Sequence, residues 1–396
     1  MTTGAGIVLV GAGLAGVRTA EQLRRAGHSG PITMLGAEVH PPYDRPPLSK
    51  EVLRGDRTAA DVVLQDTAFF ADNQVELRTG VRAIGVDTEK RLVSLENGPA
   101  VPYEELVIAT GLVPRQLPAA AGLAGLHVLR TVDHSLRIRE SVGSGPALIV
   151  GAGFIGCEVA ASLRALSVPV TIVDPLPAPL AGAVGETIGR LVARLHVEAG
   201  VDLRCGVGVA EILDDGAGRV SGVKLSDGTE IAAHLIVSGI GSRPAVEWLA
   251  GSAIEVANGI TCDERGRTSA DGVWALGDVA AWFRPALGKH VRVEHWTNAG
   301  EQASVVASDI VGGDQPTRPP VVPYFWSDQY GLKIQALGDI DPSEEVRVLT
   351  DDGRRFLAVY VNDGRITGAV GCGRAGQLMK LRPLIARQAA LSEIPQ

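Results

Sequence analysis

The chain has 396 residues, with 37 Lys and Arg against 45 Asp and Glu; its net charge of −8 argues against general nucleic-acid binding. With 45% hydrophobic and 21% charged residues it has the composition of a folded globular protein, not a disordered one, and its length suggests two or three domains. No uninterrupted apolar run is long enough for a membrane span, the start MTTGAGIVLVGAG lacks the basic region of a signal peptide, and Cys157, Cys205, Cys262 and Cys372 are too far apart for a zinc or haem motif, so free thiols in a cytoplasmic protein are expected.

Residues 7–35, IVLVGAGLAGVRTAEQLRRAGHSGPITML, read as an apolar strand, a glycine-rich turn, an amphipathic helix and a second strand. In the turn, Gly11 permits the tight bend, Gly13 lets backbone approach a pyrophosphate, and Gly16 allows close helix–strand packing; Leu14 and Ala15 open a helix whose N-terminus faces the anion. The acid expected at the end of the second strand is replaced by Gly36. Glu38, two residues on, is either the ribose ligand or a solvated loop acid. Residues 75–111 follow as a β-rich segment ending in LVIATG, and the Pro- and Gly-containing stretch 114–125 reads as a hinge.

The same βαβ pattern returns at 147–173, ALIVGAGFIGCEVAASLRALSVPVTIV, with Gly151, Gly153, Phe154, Ile155 and Gly156 in the turn. Here the acid stands at the strand end as Asp174, placed for the two hydroxyls of an adenosine ribose, and DPLPAP after it offers no base for a 2′-phosphate; NADH is therefore favoured over NADPH. Residues 201–241 repeat the β-rich theme and end in LIVSGIG, with Gly239 and Ile240 at its close. Two such units in one chain suggest two different dinucleotides.

GxGxxG alone is weak, since about 0.7 chance matches are expected at this glycine content. A third match, GCGRAG at 371–376, lacks a returning strand and reads as a C-terminal turn. Residues 260–280 give a further turn–strand–turn. After the linker GGDQPTRPP at 312–320, strands near 346–350, 355–361 and 365–370 and a helix near 374–389 form a tail with ten Lys and Arg against nine Asp and Glu. The expected fold is α/β. Residues 1–113 and 242–315 form one Rossmann-like domain, 114–241 a second, and 316–396 a C-terminal α+β domain.

The paired turns, ATG at 109–111 and GVWALGD ending in Gly277 and Asp278 resemble the glutathione-reductase-like flavoproteins. HPPYDRPPLSK at 40–50, EHWTNAGEQA at 294–303 and PYFWSDQYGLKIQ at 323–335 narrow the resemblance to the single-component FAD ferredoxin reductases of bacterial oxygenase systems. The resemblance implies non-covalent FAD on the first unit and NADH on the second. It also implies hydride transfer to the flavin, then single electrons to an iron–sulfur ferredoxin serving a cytochrome P-450 monooxygenase or a ring-hydroxylating dioxygenase. It places Ala83, Ala109, Thr110, Gly111, Arg130, Asp278, Arg45 and Trp296 at the FAD, Lys50 in the loop that passes the flavin ring, and Glu158 near the nicotinamide. Without it, Trp296 reads as core and Lys50 as a solvated base. No cysteine precedes Cys157, so no thiol is placed beside the flavin as in the disulfide reductases. The rival readings are a thiol-independent NADH oxidase or quinone reductase, and a redox-sensing flavoprotein of the apoptosis-inducing-factor type. Ferredoxin docking is expected on the tail, at Trp326 with Arg347, Arg354, Arg355, Arg374, Lys380, Arg382 and Arg387.

Overall fold

The computed structural model describes residues 6–117, 122–143, 145–313 and 322–394, so the hinge at 114–125 and the linker at 312–320 lie partly outside the described residues. The chain folds into two compact units. The first takes Met1–Asp44, Ala59–Val113 and Ser242–Arg318; the second takes Arg45–Thr58, Pro114–Gly241 and Pro319–Gln396.

Each unit is built on a five-stranded sheet whose strands are all parallel. In the first, the order is Val273–Ala275, Glu105–Ile108, Ile7–Val10, Ile32–Leu35 and Val75–Arg78. In the second, the order is Leu126–Val128, Leu235–Ser238, Ala147–Val150, Val170–Asp174 and Asp202–Cys205. The two orders correspond strand for strand. Ile7–Val10 and Ala147–Val150 are buried along their whole length, as unbroken apolar runs covered on both faces must be. Helices Leu14–Arg25 and Phe154–Ala165 carry the chain from the central strand to its neighbour, burying Val17, Ala20 and Leu23 in one case and Val159, Ala160 and Leu163 in the other. Each unit also holds a three-stranded antiparallel sheet, Ala83–Asp87 with Leu92–Leu95 and Val101–Pro102 in the first, and Val209–Asp214 with Val220–Leu225 and Glu230–Ala232 in the second.

The tail forms a five-stranded antiparallel sheet, Tyr324–Gln329, Leu332–Gly338, Arg365–Cys372, Phe356–Asn362 and Glu345–Asp351 in spatial order, followed by helix Ala375–Ala386. GCGRAG lies between the last strand and this helix. Strand Phe356–Asn362 shows why the sheet joins the second unit. Leu357, Val359 and Val361 pack with Leu378, Leu381 and Ile385 of the terminal helix, while Phe356, Ala358 and Tyr360 belong to the core of the second parallel sheet. Period-two alternation thus buries both faces.

Gly185, at φ 79°, interrupts helix Ala181–Glu198, and the buried Tyr360 hydroxyl donates to the Val184 carbonyl 2.5 Å away. A carbonyl at such a break needs a partner. Tyr360→Phe keeps the packing volume and removes that donor. Urea denaturation of the full chain should show a loss of about 1–3 kcal/mol.

Candidate active site

The glycine turns are shaped by lack of room at some positions and open space at others. A Cβ on Gly11 would lie 2.2 Å from the Ala109 carbonyl oxygen, and one on Gly16 would lie 2.1 Å from that of Gly11. Gly151 meets the Gly239 oxygen at 2.5 Å and Gly156 the Gly151 oxygen at 2.0 Å in the same way. A Cβ on Gly13 would meet nothing within 4 Å, and Gly153 would meet only the Gly239 oxygen at 4.0 Å. Gly13 and Gly153 are also the N-caps of their helices, with no side-chain cap, so the first-turn amides face open space. This arrangement fits a dinucleotide pyrophosphate at both turns.

Around the first turn, Ala109, Thr110 and Gly277 follow the ends of neighbouring parallel strands. Ala109 N–H donates to the Val10 carbonyl, Thr110 Oγ1 to that of Ala245, and Gly277 N–H to Gln302 Oε1 at 2.8 Å. Gly111 accepts from Ala245, and Asp278 is half-buried next to Gly277, whose Cβ would lie 3.0 Å from that of Ala15. Ala83 packs at the margin of the same core. Trp296 opens helix Trp296–Ile310 with its ring partly exposed; its indole N–H donates to Asp44 Oδ1 at 2.8 Å, and the Arg18 guanidinium stands 5.8 Å from the ring. Gly36 has a steric cause: a Cβ there would come 2.7 Å from that of Ala12. The acid slot is closed, and Glu38 lies outside it, accepting from the Tyr43 hydroxyl.

In the second unit the matching slot is occupied. The carboxylate of Asp174 accepts from Ala152 N–H at 2.6 Å and Leu176 N–H at 2.8 Å, which ties the strand end to the glycine turn. Each oxygen keeps a lone pair for a hydroxyl. Phe154 and the exposed Ile155 and Ile240 border this turn, and Gly239 N–H is held by Val150.

Arg45, Lys50 and Arg130, which the resemblance assigns to the flavin, belong to the second unit. Arg45 donates to the Arg130 carbonyl at 2.5 Å. The loop carrying Lys50 is pinned on both sides: Ser135 Oγ donates to the Leu48 carbonyl at 2.7 Å and Ser162 Oγ to the Ser49 carbonyl at 2.6 Å. Glu158 lies one turn before Ser162 on the same helix face. It is buried and accepts from Lys50 Nζ at 3.0 Å, Ser49 Oγ at 2.5 Å, Ser327 Oγ at 2.7 Å and Asp328 N–H at 3.3 Å. Lys50 and Glu158 therefore meet as an ion pair whose side chains are 8% and 6% exposed.

The sequence does not single out Ser49, Ser162, Gln302 or Ser327 one by one, although all but Ser162 lie inside the motifs that carry the resemblance. The expected basic docking patch on the tail fares differently. Arg347 pairs with Glu345, Arg354 with Glu198, Arg374 with Asp352 and Arg387 with Glu393, at 2.5–3.3 Å. Four of the seven bases thus have an acidic partner, while Lys380, Arg382 and Arg355 are exposed. Trp326 stacks on Tyr324, with ring centroids 5.8 Å apart, and has Lys333 5.5 Å from its ring.

All four cysteines are free, and burial pushes each thiol upward, Cys205 and Cys372 to about 11, Cys262 to about 12, and Cys157 well above its usual value. None supplies a thiolate for exchange.

A sequence profile of the pyridine nucleotide-disulphide oxidoreductases matches residues 5–303. The chain belongs to this family. A reductase C-terminal profile matches residues 324–394. The chain is 37% identical over 368 residues to the ferredoxin–NAD(+) reductase component of the p-cumate 2,3-dioxygenase system of Pseudomonas putida, covering 92% of this chain and 89% of that one. It is 35% identical to rhodocoxin reductase of Rhodococcus erythropolis, over 98% of this chain and 90% of that one. Its structure is similar to the reductase in the covalent putidaredoxin reductase–putidaredoxin complex, with TM-score 0.92, 30% identity and coverage of 97% and 93%. The disulphide in the family description has no counterpart in this chain's four unpaired thiols.

Two outcomes test the site. Asp174→Ala removes a clamp made of two charge-assisted hydrogen bonds, so even without nucleotide the unfolding free energy should fall by roughly 1.5–3 kcal/mol in a denaturant titration. Lys50→Met leaves Glu158 buried without its cation and should cost about 3–5 kcal/mol, whereas Lys50→Met combined with Glu158→Leu should cost clearly less than the sum of the two single changes.

Proposed function

We propose that this chain is an FAD-containing NADH:ferredoxin oxidoreductase, feeding electrons one at a time to an iron–sulfur ferredoxin of an oxygenase system. The observation that carries the reading is the pair of like-built glycine turns in a chain that has no reactive thiol. A first turn for FAD and a second for NADH give a donor and an acceptor site, and without a thiol the electrons need an external acceptor. The kinship supports the same reading, since the relatives named above are reductases of ferredoxin-type partners.

Residues 1–113 and 242–315 are assigned to FAD, 114–241 to NADH, and 316–396 to the C-terminal domain. FAD would be held by Gly11, Gly13, Leu14, Ala15 and Gly16 at the pyrophosphate, by Glu38 at the ribose and by Asp278 at the ribityl chain, with Ala83, Ala109, Thr110, Gly111, Gly277 and Trp296 as further contacts. Gly151, Gly153, Phe154, Ile155, Gly156, Gly239 and Ile240 would hold NADH, and Asp174 its ribose. When bound, FAD supplies what side chains lack, the capacity to accept an electron pair and release it singly. The chain's own work is to bind, orient and exclude water. Lys50 and Glu158 are the charged pair assigned to the reacting rings, and burial fixes their geometry at the expense of stability. No general acid or nucleophile is needed. A cytoplasmic location belongs to the same proposal, in keeping with four unpaired cysteines and with the absence, among the described residues, of any helix long and apolar enough to cross a membrane.

Anaerobic stopped-flow reduction followed by steady-state turnover tests the reading. NADH should reduce the bound flavin with at least about tenfold higher efficiency than NADPH, the smallest gap expected when one of a pair of charge-assisted hydrogen bonds is lost. Turnover with a ferredoxin should far exceed turnover with oxygen or a quinone. Oxygen turnover matching ferredoxin turnover would make the protein an oxidase, and a long-lived reduced state that passes electrons to neither would make it a sensor.

A further inference from the structure

Glu158 stands at one end of a run of buried polar groups that hydride transfer does not itself call for. Ser327 and Gln329 share the inner face of strand Tyr324–Gln329, and both are buried. Gln329 Nε2 lies 3.0 Å from Ser327 Oγ, and Gln329 Oε1 lies 3.1 Å from His196 Nε2. His196, fully buried in the last turn of helix Ala181–Glu198, has its Nδ1 2.7 Å from the Tyr330 hydroxyl. The run therefore reads Tyr330, His196, Gln329, Ser327, Glu158, with Lys50 beyond it, all within the second unit.

The charge of the carboxylate dictates which way every proton in the run points. A carboxylate only accepts, so Ser327 must donate to Glu158. Ser327 then has only lone pairs for Gln329, whose amide N–H must donate to it. The Gln329 carbonyl is left facing His196, which must donate through Nε2–H. Burial draws the His196 pKa down to about 4, so the ring is neutral and Nδ1 is bare. The Tyr330 hydroxyl therefore donates to Nδ1. Four hydrogen bonds point one way and end on the carboxylate, each polarising the next.

The backbone gives an independent sign that Tyr330 is there for its hydroxyl. Tyr330 and Gly331 form the two-residue turn between strands Tyr324–Gln329 and Leu332–Gly338, with φ of 52° and 73°. Such a turn favours Asn-Gly or Gly-Gly, and a bulky side chain in the left-handed region is strained. Strain of this kind persists where a contact requires it. Tyr330 also lines an open cavity of ≈ 830 Å³, together with Lys50, Arg54, Arg164 and Lys333.

We propose that Ser327, Gln329, His196 and Tyr330 are positioning residues that act through Glu158, a one-way donor chain that fixes the carboxylate and through it the Lys50 ammonium. The functional part of this inference rests on the reading of Lys50 and Glu158 as the pair that serves hydride transfer. It adds a coupling: a neutral, donating group at position 158 lets the run reverse, and His196 then carries its proton on Nδ1.

The test uses the holoenzyme. Two-dimensional ¹⁵N NMR of histidine-labelled protein should show His196 as the Nε2–H tautomer, and Glu158→Gln should move it toward Nδ1–H. In stopped flow with NADH, His196→Leu and Gln329→Leu should lower the limiting rate of flavin reduction by roughly tenfold, less than the hundredfold that a 1 Å misplacement can cost, with the NADH dissociation constant little changed. His196→Gln, whose amide can accept from Tyr330 and donate to Gln329, should restore most of the rate. An Nδ1–H tautomer in the native protein overturns the proposal, as does a folded His196→Leu protein with the native rate or a His196→Gln protein no faster than His196→Leu. If native protein is not reduced by NADH at all, the proposed function fails, and the tautomer still decides whether the chain exists.

Discussion

A carboxylate removed from water must be surrounded by donors, and in the second unit that requirement organises much of what lies around Glu158. The neighbours Ser49 and Lys50 reach one of its oxygens, and Ser327, far away in sequence, reaches the other. None is optional in the usual sense of a surface contact, because removal of any one leaves part of a buried charge unmatched. The segment 45–58 is held in place by this group and by the carbonyl contacts from Ser135 and Ser162. The charged centre is thus also a fastening point of the fold.

The two parallel sheets show how one plan is specialised by a single position. In both, the glycine turn passes so close to the next strand end that side chains on Gly11 and Gly151 are excluded. The residue facing the turn then decides the rest. Asp174 fills its slot and clamps the turn through two amides. Gly36 leaves no space beside Ala12, and the acid sits outside at Glu38.

Much of this was legible in the sequence because it rests on local rules. Apolar runs of four residues, glycines at fixed spacing and an amphipathic dozen announce a βαβ unit wherever it occurs. Three of the five strands of the antiparallel tail showed themselves, with the turn sequences DDG and NDG between them, within a residue or two of their expected places, and the helix ends three residues early, at Ala386; strands Tyr324–Gln329 and Leu332–Gly338 were not anticipated. The Lys50–Glu158 contact was accessible only through family resemblance, since 108 positions separate the partners and nothing local links them. Ser327, Gln329 and His196 were not legible as a group. Their pattern exists only after strand Tyr324–Gln329 is laid along helix Phe154–Ala165. Four of the basic residues of the tail are paired with acids, three of which lie in the tail itself, while Arg354 meets Glu198 from elsewhere in the chain, a pairing that nothing local announces.

The interleaving of the two units has a consequence for synthesis. The first unit needs residues up to 318, and the second needs 45–58 together with 319–396. Each parallel sheet can pair most of its strands from a contiguous stretch, but the first lacks its edge strand Val273–Ala275 and the second core lacks Phe356, Ala358 and Tyr360 until late in synthesis. Folding by such non-local closure is slow and leaves sticky intermediates exposed. The chain also resists dissection, since a fragment cut at 114 and 241 would carry Glu158 into the interior without Ser49, Lys50 or Ser327.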